Sequence, residues 1–264
     1  MRLRSVGSAT TPRIDLGSSR TYRTHVIVLD KVKLKETDLI LTLLSESGKQ
    51  IRAVGKGARK PGSRLAARCE LFCLSDLLLA HGRALDVVSQ AELLEAPLGV
   101  DVDFDLISAA SAVTELAKHC SYEDVEDPFV FSITKRALEI IGSGLDSPHQ
   151  DLIVAAYAFK LLSHVGYRPD FSGCVACGDE QCSFFSAQAG GLLCASCAVS
   201  VPGAERVDAA TVGWLRAIMA LRFDELTAAA IDPNEALLLL ALAHVWSATH
   251  LDCRLRALEF MLGR

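Results

Sequence analysis

Four cysteines arranged as two Cys-x-x-Cys pairs constrain this chain more than any other feature. The first pair is Cys174 and Cys177, the second is Cys194 and Cys197, and sixteen residues separate the pairs. This spacing is typical of zinc sites in which four thiolates bind one ion. Because four thiolates complete a tetrahedral shell and leave no position open for a substrate, we predict one structural zinc ion and not a catalytic one.

Other possible uses of these four cysteines are two disulfides, a thioredoxin-like redox pair and an iron–sulfur cluster. The spacing alone also fits an iron–sulfur cluster, but nothing marks the chain as secreted and a redox pair needs only one Cys-x-x-Cys. We therefore favour zinc. Cys182 lies between the pairs and is predicted to be a spare thiol. The remaining cysteines are predicted to be small buried apolar side chains: Cys69, Cys73, Cys120 and Cys253.

Length and composition limit the class of protein. The chain has 264 residues, half of them hydrophobic, which is enough for two domains with their own cores. It has nine cysteines, an odd number, and no recognisable signal peptide, so we expect a reducing, cytoplasmic environment. The longest apolar run, Ala236–Trp246, is shorter than the ~20 residues that span a bilayer, so we predict no membrane association.

The hydrophobic pattern changes near residue 99. Before it, five stretches rich in β-branched and apolar residues occur with no helical pattern between them, which predicts a small β-barrel. These stretches are Thr24–Leu29, Asp38–Ser45, Gln50–Gly55, Cys69–Ala80 and Leu85–Leu94. After residue 99, apolar residues recur at spacings of three and four, which predicts helices. Three of these helices are predicted to start at proline-containing pairs: Asp127-Pro128, Ser147-Pro148 and Asp232-Pro233.

These patterns divide the chain into three parts. Residues 1–21 are rich in Ser, Thr, Gly and Arg, and we expect this tail to be disordered. Residues 22–98 are predicted to form the barrel. Residues 99–264 are predicted to form an all-α domain that carries the zinc-binding insertion at about residues 170–200. The predicted fold class is therefore α+β with more than one domain.

Charge is distributed unevenly along the chain. The net charge is −5, yet residues 1–64 hold 14 Lys and Arg against 5 Asp and Glu, whereas the remainder holds 13 against 27. A basic head on an acidic chain indicates an anionic partner at the head. One predicted strand and the loop that leaves it could neutralise several phosphates of a nucleic acid. The cations of this segment are Arg52, Lys56, Arg59, Lys60 and Arg64.

Common catalytic motifs are absent from the sequence. None of the seven histidines is followed two residues later by Glu, as zinc deaminases require, and there is no His-Glu-x-x-His. Gly57 and Gly62 have the spacing of a nucleotide-binding loop, but Ser63 stands where that loop needs Lys. We therefore predict that the protein is not an enzyme.

Two stretches carry a resemblance to a known family. One is Ser47–Lys60, in which a glycine turn leads into a basic strand and Lys-Gly-Ala-Arg, and the other is Phe159–Tyr167, a helix that ends in Gly-Tyr before the cysteines. The segments 63–65, 71–72, 250–251 and 255–260 fit the same pattern. Over about residues 22–262 the chain resembles the RecO family of bacterial recombination mediators. The segment before Tyr22 is longer than the resemblance to this family leads us to expect.

The resemblance implies an N-terminal OB-fold that binds single- and double-stranded DNA and anneals complementary strands. It further implies that the protein acts with RecR to load RecA onto DNA coated by single-strand-binding protein, in the bacterial cytoplasm at the nucleoid. From the residues themselves we expect binding to be mostly electrostatic with little base stacking, because Tyr22 and Phe72 are the only aromatic residues among the first hundred.

Two competing functions belong to other classes. A zinc-stabilised interaction scaffold without DNA contact is disfavoured by the basic head. A zinc-dependent hydrolase is disfavoured because the sequence offers neither an open metal position nor an identifiable general base.

Overall fold

The computed structural model of the chain describes residues 20–100 and 102–263. The predicted disordered tail, residues 1–21, lies outside the described residues except for its last two, and Thr21 already starts the first strand. The strands of the N-terminal part are β1 (Thr21–Lys33), β2 (Leu39–Ser45), β3 (Gln50–Gly55), β4 (Leu74–Ala80) and β5 (Asp86–Glu95). Because this five-stranded sheet precedes a helical region, the predicted α+β class is confirmed.

The five strands form a closed barrel in the order β1-β2-β3-β5-β4. β1 pairs with both β4 and β2, and a bulge between Val28 and Asp30 lets it bend from one partner to the other. β3 and β5 close the barrel through a short parallel pairing that includes Ala53 and Asp86. The largest buried side chains of the barrel interior are Val26, Val28, Leu41, Leu43, Leu77, Leu79 and Val88.

Helices and a second, small sheet make up the rest of the described chain. The helices are α1 (Arg64–Arg68), α2 (Phe104–Cys120), α3 (Pro128–Ile141), α4 (Ser147–His164), α5 (Ala195–Ala198), α6 (Ala209–Ala220), α7 (Phe223–Thr227), α8 (Pro233–Leu251) and α9 (Arg256–Leu262). The sheet has the order β7 (Gly191–Leu193), β6 (Phe184–Ser186), β8 (Glu205–Arg206). Within the described ranges, no helix has the length and apolarity needed to cross a membrane.

Helix α4 lies at the centre of the helical region. It contacts α2, α3, α6, α7 and α8. Every side chain from Gln150 to Phe159 is buried, so the helix is enclosed around its whole circumference and not on one stripe. Asp146 caps its first turn by accepting a hydrogen bond from the backbone N–H of His149. The sequence had suggested Ser147 for this position, and the cap lies one residue earlier.

The barrel packs directly on α2. Ile27, Leu29 and Leu44 point away from the barrel interior and join the core formed by the helices. Burial of each such side chain stabilises the fold by about 1.5–3 kcal/mol. The ammonium group of Lys118 on α2 also lies 2.5 Å from a carboxylate oxygen of Asp30 on β1. The two parts of the molecule therefore share one core and are not joined only by a linker.

Three local predictions were wrong. The predicted strand Cys69–Ala80 starts only at Leu74, because the preceding residues form a turn in which Phe72 has a φ of 69°. The predicted all-α domain contains the sheet β6–β8, whose strands have two or three residues each. No helix was predicted between the strands of the barrel, but α1, a helix of five residues, lies between β3 and β4. All three features are too short to produce a hydrophobic period.

We predict that Gly48→Ala destabilises the protein more than Gly62→Ala. Both glycines have positive φ, 82° and 74°, so each substitution incurs the ~1–2 kcal/mol cost of a left-handed residue. A Cβ at Gly48 would also lie 1.8 Å from the backbone oxygen of Asp127, whereas nothing lies within 4 Å at Gly62. We expect a further ~1–3 kcal/mol loss at Gly48. Urea denaturation measures both free energies of unfolding, and equal losses would contradict the proposed contact between barrel and helices.

Candidate metal centre and nucleic-acid interface

The structure brings the four predicted cysteines together. The Sγ atoms of Cys174, Cys177, Cys194 and Cys197 all lie within 4.8 Å of one another, and those of Cys177 and Cys194 are 3.8 Å apart. Four sulfurs that each lie about 2.3 Å from a central zinc ion are separated by about 3.8 Å, the edge of a tetrahedron. The donor set and its size therefore fit a tetrahedral metal ion.

Tight backbone turns present the thiols. Gly178 follows the first pair with a φ of 81°, and its N–H donates a hydrogen bond to the Cys174 carbonyl at 2.8 Å. The N–H of Cys174 in turn donates to the carbonyl of Asp179 at 2.8 Å. Cys194 precedes α5, and its carbonyl accepts from the N–H of Ala198. Each pair is thus held by its own short turn.

The thiols of Cys174 and Cys197 differ in pKa. Backbone N–H groups of Cys194, Ala176 and Cys177 face the Cys174 sulfur and lower the pKa of this thiol to about 6. Hydrogen bonds with the thiols of Cys194, Cys177 and Cys174 raise the pKa of Cys197 to about 12. The backbone therefore stabilises the thiolate form of Cys174, whereas the neighbouring thiols stabilise the protonated form of Cys197. A bound metal ion requires all four ligands as thiolates, so its binding releases protons.

The cysteine cluster is anchored to the main core through the small sheet. Phe185 on β6 and Leu192 on β7 belong to the main core, whereas Phe184 and Leu193 pack beside the cysteines. This alternation follows from the opposite directions of successive side chains in a strand. The ring of Phe185 lies 6.4 Å from that of Phe159 on α4. The cluster is therefore connected to the central helix through one layer of side chains.

The other cysteines lie outside this cluster. Cys182 packs beside the four-cysteine cluster, and its thiol donates a hydrogen bond to the carbonyl of Asp179 at 3.4 Å. Cys69, Cys73 and Cys120 are buried, as predicted, but Cys253 is only partly buried. Burial raises the pKa of Cys120 to about 12, which makes it a poor nucleophile at neutral pH.

The five cations predicted to bind DNA are exposed but do not line a single cavity. They lie on β3, in the following loop and at the start of α1: Arg52, Lys56, Arg59, Lys60 and Arg64. Lys56 lines an open groove of about 530 Å³ together with Arg23 and Arg68. Arg52 lines a second groove of about 520 Å³, to which Arg23 also contributes. The basic side chains therefore occupy two adjoining grooves and an exposed loop.

The second groove has walls of opposite charge. Lys49, Arg52 and Arg83 of the barrel face the segment between α2 and α3, which contributes Glu123, Asp124 and Glu126. The Lys49 ammonium lies 3.5 Å from a carboxylate oxygen of Glu126. A negative wall lowers the attraction of this groove for phosphates. The groove at Lys56 has a single acidic residue in its lining, Glu92, so it and the exposed loop after β3 carry less opposing negative charge than the second groove.

Two cations near the exposed loop after β3 were not identified as candidate DNA contacts from the sequence. Lys33 ends β1 and Lys35 follows in the turn to β2, and both are exposed. The sequence Lys-Val-Lys-Leu-Lys at residues 31–35 contains a usable signal, because alternation along an extended chain places the lysines on one side. Lys31 differs from the other two, since it forms an ion pair with Glu70.

Residues 19–97 match the family model described as Recombination protein O N terminal, and residues 102–259 match the one described as Recombination protein O C terminal. The chain belongs to the RecO family. The two matches meet between β5 and α2, and the family recognised from sequence is thereby confirmed.

Curated relatives from this family match most of the chain. A protein named DNA repair protein RecO from Desulforamulus reducens is 32% identical over 92% of this chain and 94% of its own length. Proteins of the same name from Nocardioides sp. and Cutibacterium acnes are 34% and 37% identical. The Nocardioides match covers 91% of this chain and 98% of the relative. The Cutibacterium match covers 75% of this chain and 82% of the relative. The RecO relationship therefore includes both the barrel and the helical region.

We predict that the purified protein carries about one metal ion per chain and that Cys194→Ser abolishes this binding. The variant should also unfold the insertion, because metal binding supplies about 10–16 kcal/mol to a small site of this type. Cys182→Ser is the matched control and should keep the ion, since its thiol lies outside the cluster. Elemental analysis and limited proteolysis of both variants provide the measurement. A folded, metal-free wild type would show that the cluster has another role.

Proposed function

We propose that this protein is a DNA-binding recombination mediator in DNA repair. The observation that carries the proposal is the combination of a RecO-family chain with an exposed basic loop on its barrel. A closed barrel of five strands in the order β1-β2-β3-β5-β4 supports the further proposal that this part is an OB-fold. Its ligands are single- and double-stranded DNA, and the core of the binding surface is the segment of β3 and the basic loop that carries Arg52, Lys56, Arg59, Lys60 and Arg64.

The proposed chemistry is charge neutralisation without base stacking. Phe72 is buried, and the hydroxyl of Tyr22 donates to Asp86 while its ring stacks on His81. Both aromatic residues of the first hundred are therefore engaged within the protein. Cations that screen phosphate repulsion while the bases stay free would favour pairing of two complementary strands. The protein thus anneals strands and does so without catalysing a chemical step.

The proposed metal ion is zinc, in a structural role. Four thiolates with tetrahedral spacing suit zinc and leave no open position for a substrate. The cluster belongs to the helical region and not to the barrel that carries the basic loop, and its ion stabilises the insertion. Elemental analysis separates zinc from the iron of a cluster with the same four ligands.

Membership of the RecO family supports the proposed partners. With RecR, the protein helps to load RecA onto DNA that is coated by single-strand-binding protein. A location in the bacterial cytoplasm, at the nucleoid, belongs to the same proposal. The competing function is an interaction scaffold that contacts these proteins but not DNA, and the two predictions below distinguish it from the proposal.

We predict that Lys56→Ala combined with Lys60→Ala weakens DNA binding and lowers its salt dependence. The salt slope is the slope of the logarithm of the binding constant against the logarithm of the salt concentration. Each phosphate contact on a single strand contributes about 0.7 to its magnitude, so the loss of two contacts should lower it by about 1.4. Arg168→Ala combined with Arg206→Ala removes two equally exposed cations from the helical region and should leave the slope unchanged. Salt titrations with a mixed-sequence oligonucleotide measure the slope for the wild type and for both variants. A wild-type slope in the lysine variant would exclude the basic loop as the binding surface.

We also predict that the wild-type protein accelerates annealing of complementary oligonucleotides without a nucleotide cofactor. The sequence lacks a nucleotide-binding loop, so ATP should not change the annealing rate and should not be hydrolysed. The lysine variant should anneal more slowly at the same protein concentration. Fluorescence quenching between labelled strands follows the reaction. No acceleration by the wild type would favour the scaffold.

A further inference from the structure

Two loops of the barrel are joined by a set of hydrogen bonds. The β1–β2 loop comprises residues 34–38, and the basic loop comprises residues 56–63. The N–H of Gly57 donates to a carboxylate oxygen of Asp38 at 2.8 Å, and the N–H of Arg59 donates to the carbonyl of Thr37 at 2.9 Å. These bonds fix the backbone of the basic loop against the β1–β2 loop.

The guanidinium group of Arg59 adds two further bonds. Its Nη1 donates to the carbonyl of Lys35 at 3.0 Å and to the carbonyl of Glu36 at 2.8 Å. Adjacent carbonyls at the tip of a turn have no strand partner, and a planar guanidinium with several donors is suited to bind both. Arg59 is therefore engaged with the protein itself, although the sequence alone presents it as another free cation.

The lysines around this connection remain available. Lys33, Lys35, Lys56 and Lys60 are exposed, and no ion pair within the described residues involves any of them. Asp38, the last residue of the β1–β2 loop, faces the basic loop. The Gly57 N–H, together with the nearby charges of Lys35 and Lys56, holds the pKa of its carboxyl below the usual range. Cations from both loops thus lie within electrostatic reach of the same carboxylate.

We propose that the β1–β2 loop and Lys33, which precedes it at the end of β1, are a second part of the nucleic-acid surface. Lys33 and Lys35 are the phosphate contacts of this part, and Arg59 positions the loop and is not itself a phosphate contact. Where the two loops meet, the surface then consists of lysines that Arg59 holds in place. A fixed array of cations loses less conformational entropy on binding than the same cations on a free loop. This inference deepens the proposed DNA binding and rests on it.

Lys33→Ala combined with Lys35→Ala tests the new contacts. In the full-length protein it should lower the salt slope for a single-stranded oligonucleotide by about 1.4, as two lost phosphate contacts require. The exchange of the Leu34 amide, which donates to the Asp38 carbonyl at 3.1 Å, should stay at the wild-type rate. If the wild type binds the oligonucleotide and this variant keeps its slope, the inference fails while the proposed function stands. If the wild type does not bind, the proposed function fails and the lysine contacts fail with it.

Arg59→Lys tests the positioning role, because it keeps the charge but loses the planar group that reaches two carbonyls. We expect the amides of Leu34 and Gly57 to exchange about 10-fold faster, since a lost hydrogen bond of this kind changes local opening by about that factor. The salt slope should stay unchanged while affinity falls. This exchange measurement needs no DNA, so it tests the positioning role even if the proposed function is wrong.

Lys60→Ala is the matched control within the basic loop. It should lower the salt slope by about 0.7 and leave the two amide exchange rates unchanged. An Arg59→Ala variant with wild-type exchange and a slope lowered by about 0.7 would show that Arg59 is a direct phosphate contact. That result would overturn the positioning role.

Discussion

The burial of α4 on all sides is the constraint on which the rest of the structure depends. A helix without an exposed face needs neighbours around its whole circumference, and α2, α3, α6, α7 and α8 supply them. Its one buried hydroxyl pair, Tyr157 with Thr134 at 2.8 Å, satisfies both groups. The barrel packs on α2, which contacts α4, and the small sheet beside the cysteine cluster contacts Phe159 of α4 through Phe185. Both candidate sites are therefore placed by the same helix.

Charge is separated within this common framework. The exposed lysines of the barrel loops lie on a chain whose residues after 64 carry 27 Asp and Glu against 13 Lys and Arg. The acidic segment Glu123–Glu126 even forms one wall of a groove on the barrel. On electrostatic grounds a polyanion is favoured at the barrel loops and disfavoured at the acidic remainder of the chain.

Long elements and local chemical signals could be predicted from the sequence, whereas short elements could not. The strands β2 and β3 and the helices that start at Pro128 and Pro233 were predicted to within a few residues, because each has a clear period or cap. The four cysteines were found from spacing alone, and the structure brings them together. The role of Arg59 was not visible, because a bond between two loops depends on tertiary structure. The turn at Phe72 was missed as well: the residue is buried and its N–H donates to the carbonyl of Val28 at 3.0 Å, and the local sequence contains no sign of this long-range contact.

The shared core between β1 and α2 has a consequence for how the chain is made. Translation adds about 5–20 residues per second and releases the N-terminus first. The outward-facing side chains Ile27, Leu29 and Leu44 therefore leave the ribosome before the helix that covers them, which ends at Cys120. The last strand of the barrel ends at Glu95, about 25 residues before the end of α2, so a completed barrel waits roughly 1–5 s for its helix. During this interval the barrel presents an apolar face that could contact another chain instead of its own helix.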